Sequence, residues 1–208
     1  MKSFYYKQPY ADEQVRATIN GQKTLMVFPV TEWQKPSLNK NFDGRFPDLR
    51  WISIAQKDAR FGFAVFGETE SSCMNNYNEG YSNLCPFFNV GERYWLKESY
   101  SKTHLGFVYR ADGVGPKGIW NSSVHMPQHA SRCTIEVKRV YVKRIDDATE
   151  SESMRFIGNH KRAMYFRAAN TYEPNWVMAF RNFMFDWCLG DRLSSNPWCW
   201  FVEFEVMK

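Results

Sequence analysis

The sequence predicts an α+β fold: a small curved β-sheet closing into a barrel, with helices covering its openings or flank. Three features predict it. Short alternating apolar runs recur along the chain, helical patterns are few, and a last strand returns to the sheet. The alternation also slips parity near Lys138-Arg139, where a bulge would bend the sheet.

Residues 12–20 open on Asp12 and Glu13, place Val15 and Ile19 on one face, and end at Gly21, the pattern of a short helix with a left-handed stop. Residues 23–30 read as a strand with Pro29 near its end, and 51–55 with 61–66 as a hairpin around a polar connection. Residues 67–83 are rich in Ser, Asn, Glu and Gly and predict a long loop. Further strands are predicted at 93–98 (RYWLKE) and 106–110. From Arg132 onward Cys133, Ile135 and Val137 share one parity, and Val140 and Val142 the other. Asp147 is placed to cap a helix running to about Ile157, with Gly158 after it. Pro174 suits the first turn of another helix, whose stripe is Trp176, Phe180, Phe183, Met184 and Trp187 and whose stop is Gly190. In the last strand Trp198, Trp200, Val202, Phe204 and Val206 share one face, while Glu203 and Glu205 look outward.

At 208 residues the chain reads as a single domain, 1–208, with an elaboration at about 32–86 between two core strands. Lys and Arg number 27 against 22 Asp and Glu, an excess that permits a polyanion partner without requiring one. No apolar run is long enough to cross a membrane and the first residues lack a signal core, so a soluble, unsecreted protein is expected. The five cysteines are odd in number and form no C-x-x-C pair. That argues against a disulfide framework or a cysteine-rich zinc site and for a reducing cytoplasm.

The stretch richest in binding chemistry is 120–137, WNSSVHMPQHASRCTIEV, a Pro-containing turn running into an alternating strand. Trp120, Ser123, His125 and Arg132 are its candidate ligand contacts. Lys23 and Thr24 either bind a base or phosphate or are ordinary strand residues. Glu98 either accepts a hydrogen bond from a base amino group or pairs with a neighbouring cation. His125, His129 and Cys133 are spaced H-x3-H-x3-C, but Pro127 interrupts them and Cys133 enters a strand, so no metal is expected. Arg132, Lys138, Arg139, Lys143 and Arg144 could track a phosphate backbone or form a solvated strand face.

Gly21-Gln22-Lys23-Thr24 after a short helix resembles the N-terminal G-x-K-T motif of ASCH domains. Cys85-Pro86, residues 91–98 (GERYWLKE), 109–113 (YRADG), 123–127 (SVHMP), 130–132 (ASR) and 196–200 (NPWCW) are similar to successive blocks of long ASCH-type proteins of bacteriophages and prophages. The resemblance implies a PUA-like small β-barrel, whose relatives bind RNA or modified bases; some ASCH members hydrolyse acylated cytidine and some are ribonucleases. In the hydrolases the pattern G-x-K-T-x-T-x-R supplies a Lys and a nucleophilic Thr, joined by a helical Glu. Here Lys23 matches the Lys and Thr24 the first Thr, but Met26 stands at the nucleophile and Phe28 at the Arg. Glu150 and Glu152 lie in the corresponding helix, yet the Glu position falls at or beside Phe156. Met cannot attack a carbonyl, so the hydrolase mechanism does not transfer.

The expected function is therefore a module that binds nucleic acid, a nucleotide or a modified base and lacks the hydrolase triad. Lys23, Thr24, Glu98, Trp120, Ser123, His125 and Arg132 would line its cleft. Two alternatives stand beside it: a nuclease or modified-nucleoside hydrolase using Lys23 as base and Glu98 as carboxylate, and a phage protein-interaction factor that blocks host defence. RNA, DNA or a nucleotide is the expected partner, a host protein the other. No cofactor or membrane is expected, and the resemblance implies the cytoplasm of a bacterial host. Residues 22–24 and 124–132 are expected to converge on one hollow at the barrel rim.

Overall fold

The computed structural model describes residues 1–7, 11–55, 63–81, 84–113, 119–158, 175–186, 190 and 195–207. Its strands are β1 (Lys2–Tyr5), β2 (Leu25–Pro29), β3 (Ser37–Leu38), β4 (Trp51–Ile54), β5 (Ala64–Gly67), β6 (Arg93–Lys97), β7 (Tyr100–Thr103), β8 (Gly106–Tyr109), β9 (Thr134–Arg144) and β10 (Trp198–Met207). Its α-helices are α1 (Ala11–Ile19), α2 (Glu70–Tyr81), α3 (Glu150–Ile157) and α4 (Trp176–Met184). The fold is α+β. A mixed five-stranded sheet runs β1-β6-β9-β10-β2, with β1 parallel to β6 and the other pairs antiparallel. Two small antiparallel sheets, β3-β4-β5 and β7-β8, sit beside it.

β9 carries the bulge that its sequence predicts. Opposite β10, Arg139 pairs with Glu203 and Val137 with Phe204, leaving Lys138 as the extra residue. Ile135 and Val137 before the bulge, and Val140 and Val142 after it, therefore all enter one core. The sheet also curls. Laid flat, β1 and β2 would sit roughly 19 Å apart, four strand spacings. Instead a single ring bridges them: Phe88 stacks on Phe28 of β2 at 5.7 Å and meets Phe4 of β1 edge-on at 6.0 Å. Among the described residues the two outer strands are not hydrogen-bonded to each other.

The two-faced reading of β10 needs correcting. Trp198, Trp200, Val202 and Phe204 enter the main core as expected, but Cys199 and Phe201 on the opposite face are buried too. There α3 and α4 cover the sheet with Phe156, Ile157, Phe180 and Met184, so only Glu203 and Glu205 keep polar surroundings. Over β2 and most of β10 both faces of the sheet are thus covered.

The predicted loop at 67–83 is largely helix α2. Thr69 and Ser72 cap its start reciprocally: the Thr69 N–H donates to Ser72 Oγ at 2.9 Å, and the Ser72 N–H to Thr69 Oγ1 at 3.0 Å. Cys73, Met74 and Tyr77 lie on one helical face and are buried, which composition alone disguised. Met74 and Tyr77, together with Ala55, Val65 and Cys85, join the same core as the main sheet, so the 32–86 elaboration shares that core. Helix α3 starts later than predicted. Thr149, not Asp147, is its cap, in a reciprocal capping box with Glu152. Asn175 caps α4 through a bond from Met178 N–H at 2.9 Å; Pro174 and Trp187 lie outside the described residues. β1 and β7 carry no turn signals and were not predicted.

Gly158 ends α3 with φ +65°, and a Cβ there would stand 2.8 Å from Ala17 Cβ and 2.9 Å from Lys23 Cβ. Gly21 has a similar φ of +69° with open space around it. We expect Gly21→Ala to cost about 1 kcal/mol, the left-handed penalty alone. Gly158→Ala should cost more than about 2 kcal/mol because crowding adds to that penalty. Urea denaturation of both variants measures the difference.

Candidate functional site

Where β1 ends, its chain meets the turn that follows β8 across a hollow of ≈400 Å³. Tyr5, Tyr6 and Lys7 form one wall, Ser99 and Arg110 the floor side, and residues 120–124 the other wall. The turn is fixed by backbone and side chain together. Asn121 and Tyr100 exchange backbone hydrogen bonds at 2.8 and 3.2 Å, and Ser122 Oγ accepts from the Val124 N–H. Lys97 Nζ donates to the Val124 carbonyl at 2.8 Å. Met126 and Ala130 are buried against Trp95 in a small core that Tyr100, Phe107 and Tyr109 complete. The H-M-P turn is thus nailed down by its Met, while the residues before it face the hollow.

Beside the hollow lies an ionic clamp. Arg132 donates Nε and Nη2 to the two oxygens of Glu98, both at 2.9 Å, and Nη1 and Nη2 to Asp112 at 2.9 and 2.7 Å. Its guanidinium lies 4.2 Å from the Tyr109 ring centroid. The Glu98 side chain is 1% exposed, and burial pushes its carboxyl above the usual carboxylate range against the pull of Arg132. Arg132 loses hydration on partial burial, yet Glu98 and Asp112 hold it above its ordinary value. Arg110 makes a second forked pair with Asp12 of α1 at 2.7 and 3.2 Å, and Arg16 donates to the Ala111 carbonyl at 2.5 Å. These bonds fasten α1 over the clamp.

Lys23 is only 1% exposed. Its Nζ donates to the Phe156 carbonyl and lies 3.9 Å from the Phe156 ring centroid and 5.6 Å from that of Tyr6. No carboxylate pairs with it among the described residues, and burial lowers its pKa well below the ordinary lysine value. Tyr6, whose hydroxyl meets Thr18 Oγ1 at 2.8 Å, is the shared wall between this ammonium site and the hollow. Nearby on α1, one turn before Thr18, Gln14 is buried with neither amide atom bonded among the described residues.

The expected convergence on one hollow is therefore only partly met. Trp120 and Ser123 line it. Glu98 and Arg132 stand beside it, occupied with each other and Asp112. Lys23 is behind Tyr6, and Thr24 is drawn the other way, its Oγ1 accepting from Arg155 of α3 at 3.1 Å. His125 is exposed and does not line the hollow; its backbone is used instead, the carbonyl by Tyr100 at 3.3 Å and the N–H by the Ser122 carbonyl at 3.1 Å. Packing by two different partners explains the three corrections. Burial of the sheet's second face under α3 claims Lys23 and Thr24, and the buried Met126 turns His125 outward. Tyr5, Tyr6 and Lys7 were not legible as site residues, because β1 carried no strand signal, and Ser99 was not, because β7 beside it carried none either. Arg110 lay in a block already singled out.

The basic residues of β9 are mostly neutralised. Lys138 pairs with Glu136 and Glu205, Lys143 with Glu152, and Arg144 with Glu70. Among the described residues no three His, Cys, Asp or Glu groups are placed to hold a metal ion, four cysteines are free thiols, and no helix is long and apolar enough to cross a membrane. No protein-family model, curated protein or solved structure matches this chain.

Two outcomes follow from the buried charges. Below the ordinary lysine value of 10.5 the unfolded chain binds a proton at Lys23 that the folded chain, above its depressed value, does not. Stability should thus rise with pH across that window, and Lys23→Met should flatten the rise; melting temperature against pH measures both. Arg132→Met leaves the Glu98 carboxylate buried without its cation and should cost about 3–5 kcal/mol. That loss should shrink at low pH, where a protonated Glu98 tolerates burial; the double variant with Glu98→Gln should recover part of it.

Proposed function

We propose that the chain is an ASCH-type binding module that takes a nucleobase- to nucleotide-sized ligand in the hollow between β1 and the 120–124 turn. The observation that carries this reading is the hollow's content. Within ≈400 Å³ its lining brings together the rings of Trp120 and Tyr6, the hydroxyls of Ser99, Ser122 and Ser123, and the cation of Lys7, with Arg110 held beside it by Asp12. Rings stack on a base, hydroxyls read its edge, and cations receive a phosphate. A PUA-like barrel is the fold this reading assumes, and the bulge at Lys138 and the Phe28–Phe88–Phe4 bridge between sheet edges support it.

A compact ligand is favoured over a long polyanion because Lys138, Lys143 and Arg144 of β9 already face carboxylates. A binding role is favoured over hydrolysis because Met26, at the nucleophile's place, is a core residue at 2% exposure, while Lys23 is walled off by Tyr6. The phage type of the resemblance implies the cytoplasm of a bacterial host as the setting.

Titration of tryptophan fluorescence with the nucleosides and their monophosphates tests the reading. We expect saturable binding that Trp120→Ala weakens by about tenfold or more, with a shallow dependence on salt. Tighter binding of an oligonucleotide with a steep salt slope would shift the reading to nucleic acid. Turnover of an acylated nucleoside, lost in Lys23→Met, would restore the hydrolase.

A further inference from the structure

The two most exposed large apolar side chains among the described residues both belong to the β7–β8 hairpin and its flank. Leu105, in the turn between the strands, is 88% exposed, and Ile119 is 78% exposed. Ile119 stands two residues before Asn121, which exchanges backbone bonds with Tyr100 of β7. A tight hairpin turn calls for Gly, Asn or Asp, so nothing local asks for leucine there. The hairpin is nevertheless fixed at its base. Tyr100, Phe107 and Tyr109 pack on Trp95, Met126 and Ala130, and the Tyr109 hydroxyl donates to the Ala130 carbonyl at 2.7 Å. Leu105 is thus carried into solvent on an anchored turn.

The charge around these side chains is of one sign. Residues 99–111 and 119–131 contain no Asp or Glu, and they hold three of the chain's four histidines. His104, His125 and His129 are all exposed. The carboxylates nearest in sequence, Glu98 and Asp112, are both held by Arg132. Lys102, opposite Phe107 in the hairpin, is exposed, and no carboxylate pairs with it among the described residues. Lys97 gives its Nζ to the Val124 carbonyl, so its charge is not offset by a carboxylate either. Lys138, Lys143 and Arg144 of β9 differ in this respect, since each faces one. The hairpin end is therefore aliphatic at its tip and cationic around it.

We infer that the β7–β8 turn and the segment leading to Asn121 form a docking surface for a protein partner that offers carboxylates around an apolar pocket. Leu105 and Ile119 enter the pocket, and Lys102 and Lys97 meet the carboxylates. Burial of the aliphatic side chains supplies affinity, and the charge pairs supply orientation and speed of encounter. The surface is separate from the hollow, which Lys102, Leu105 and Ile119 do not line. A second copy is a poor occupant, because a two-fold pairing would bring like charges together. A nucleic acid is also a poor one. Tyr100, Phe107 and Tyr109 are packed against the small core rather than offered for stacking, and aliphatic side chains gain nothing from phosphate. Two aliphatic side chains make a weak membrane anchor, since one whole myristoyl chain holds only marginally.

The probe is a fluorescent, helix-forming peptide with leucines along one face and glutamates on either side of it. Its controls are the same peptide with lysine for glutamate and the same peptide with serine for leucine. We expect saturable anisotropy with the first and a loss of about tenfold or more with either control. Leu105→Asp and Lys102→Glu should each weaken the first peptide by about tenfold or more at an unchanged melting temperature. Lys102→Glu should improve binding of the lysine peptide, while Trp120→Ala, which acts on the hollow, should leave all three unchanged. Absence of binding at peptide concentrations on the order of 1 mM, or equal binding by the Leu105→Asp protein, overturns the inference. So does a dimer in sedimentation that Leu105→Asp dissolves. Tighter binding of an oligothymidylate or of phosphatidylserine vesicles, lost in the same two variants, overturns it as well.

Discussion

The structure depends on one extra residue in one strand. Lys138 bulges from β9, and the parity change it introduces sends Ile135, Val137, Val140 and Val142 into the same core. Without it the two halves of the strand would bury opposite faces, and half of these valines and isoleucines would meet the wrong side of the sheet. The same irregularity adds twist, and a twisted sheet brings its edges toward each other. That curl is why Phe88 can touch both β1 and β2, and why Tyr6, just past β1, can lie against Lys23, just before β2.

Covering the sheet on both faces has electrostatic consequences. Groups that would be solvated on a one-faced sheet are taken out of water, and each must be compensated or neutral. Glu98 is compensated by the forked guanidinium of Arg132, which Asp112 and the Tyr109 ring hold in place. Lys23 meets no carboxylate among the described residues and relies on the Phe156 carbonyl and two aromatic faces. Gln14 has no such compensation among the described residues, with both amide atoms unbonded. Buried polarity on this scale beside a solvent-open hollow is unusual for a region serving packing alone.

The two openings of the molecule are built differently. The smaller hollow is walled by rings and hydroxyls and suits a compact, stacking ligand. The larger groove is lined by polar and charged side chains of α2, β9 and α3, with Lys143 and Arg155 held by Glu152 and Glu203. Its one wall is α2, the part of the 32–86 elaboration that Glu70 ties to the sheet through Arg144 at 2.6 Å and Trp198 Nε1 at 2.9 Å. The elaboration therefore shapes the edge of β9.

Local signals decided a good deal. The Lys138 bulge, the end of α1 at Gly21, the end of α3 at Gly158, the β4–β5 hairpin and the core face of β10 all follow from parity, caps and left-handed glycines, which act within a few residues. Trp120 and Ser123 were legible because an amphipathic ring and a cluster of hydroxyls in a turn have few other uses. What the sequence could not reveal was what lies across from each element. Helix α2 was hidden by its polar composition, since three buried residues on one face are visible only once a core exists to receive them. The fates of Lys23, Thr24 and His125 turned on α3 and on the anchoring of Met126, partners remote in sequence or fixed by packing. That β9 has no strand beside it beyond Val137, among the described residues, depended on where β6 stops, a register between distant strands. Local chemistry sets conformation residue by residue, but burial and accessibility are properties of contacts, and only the assembled chain determines them.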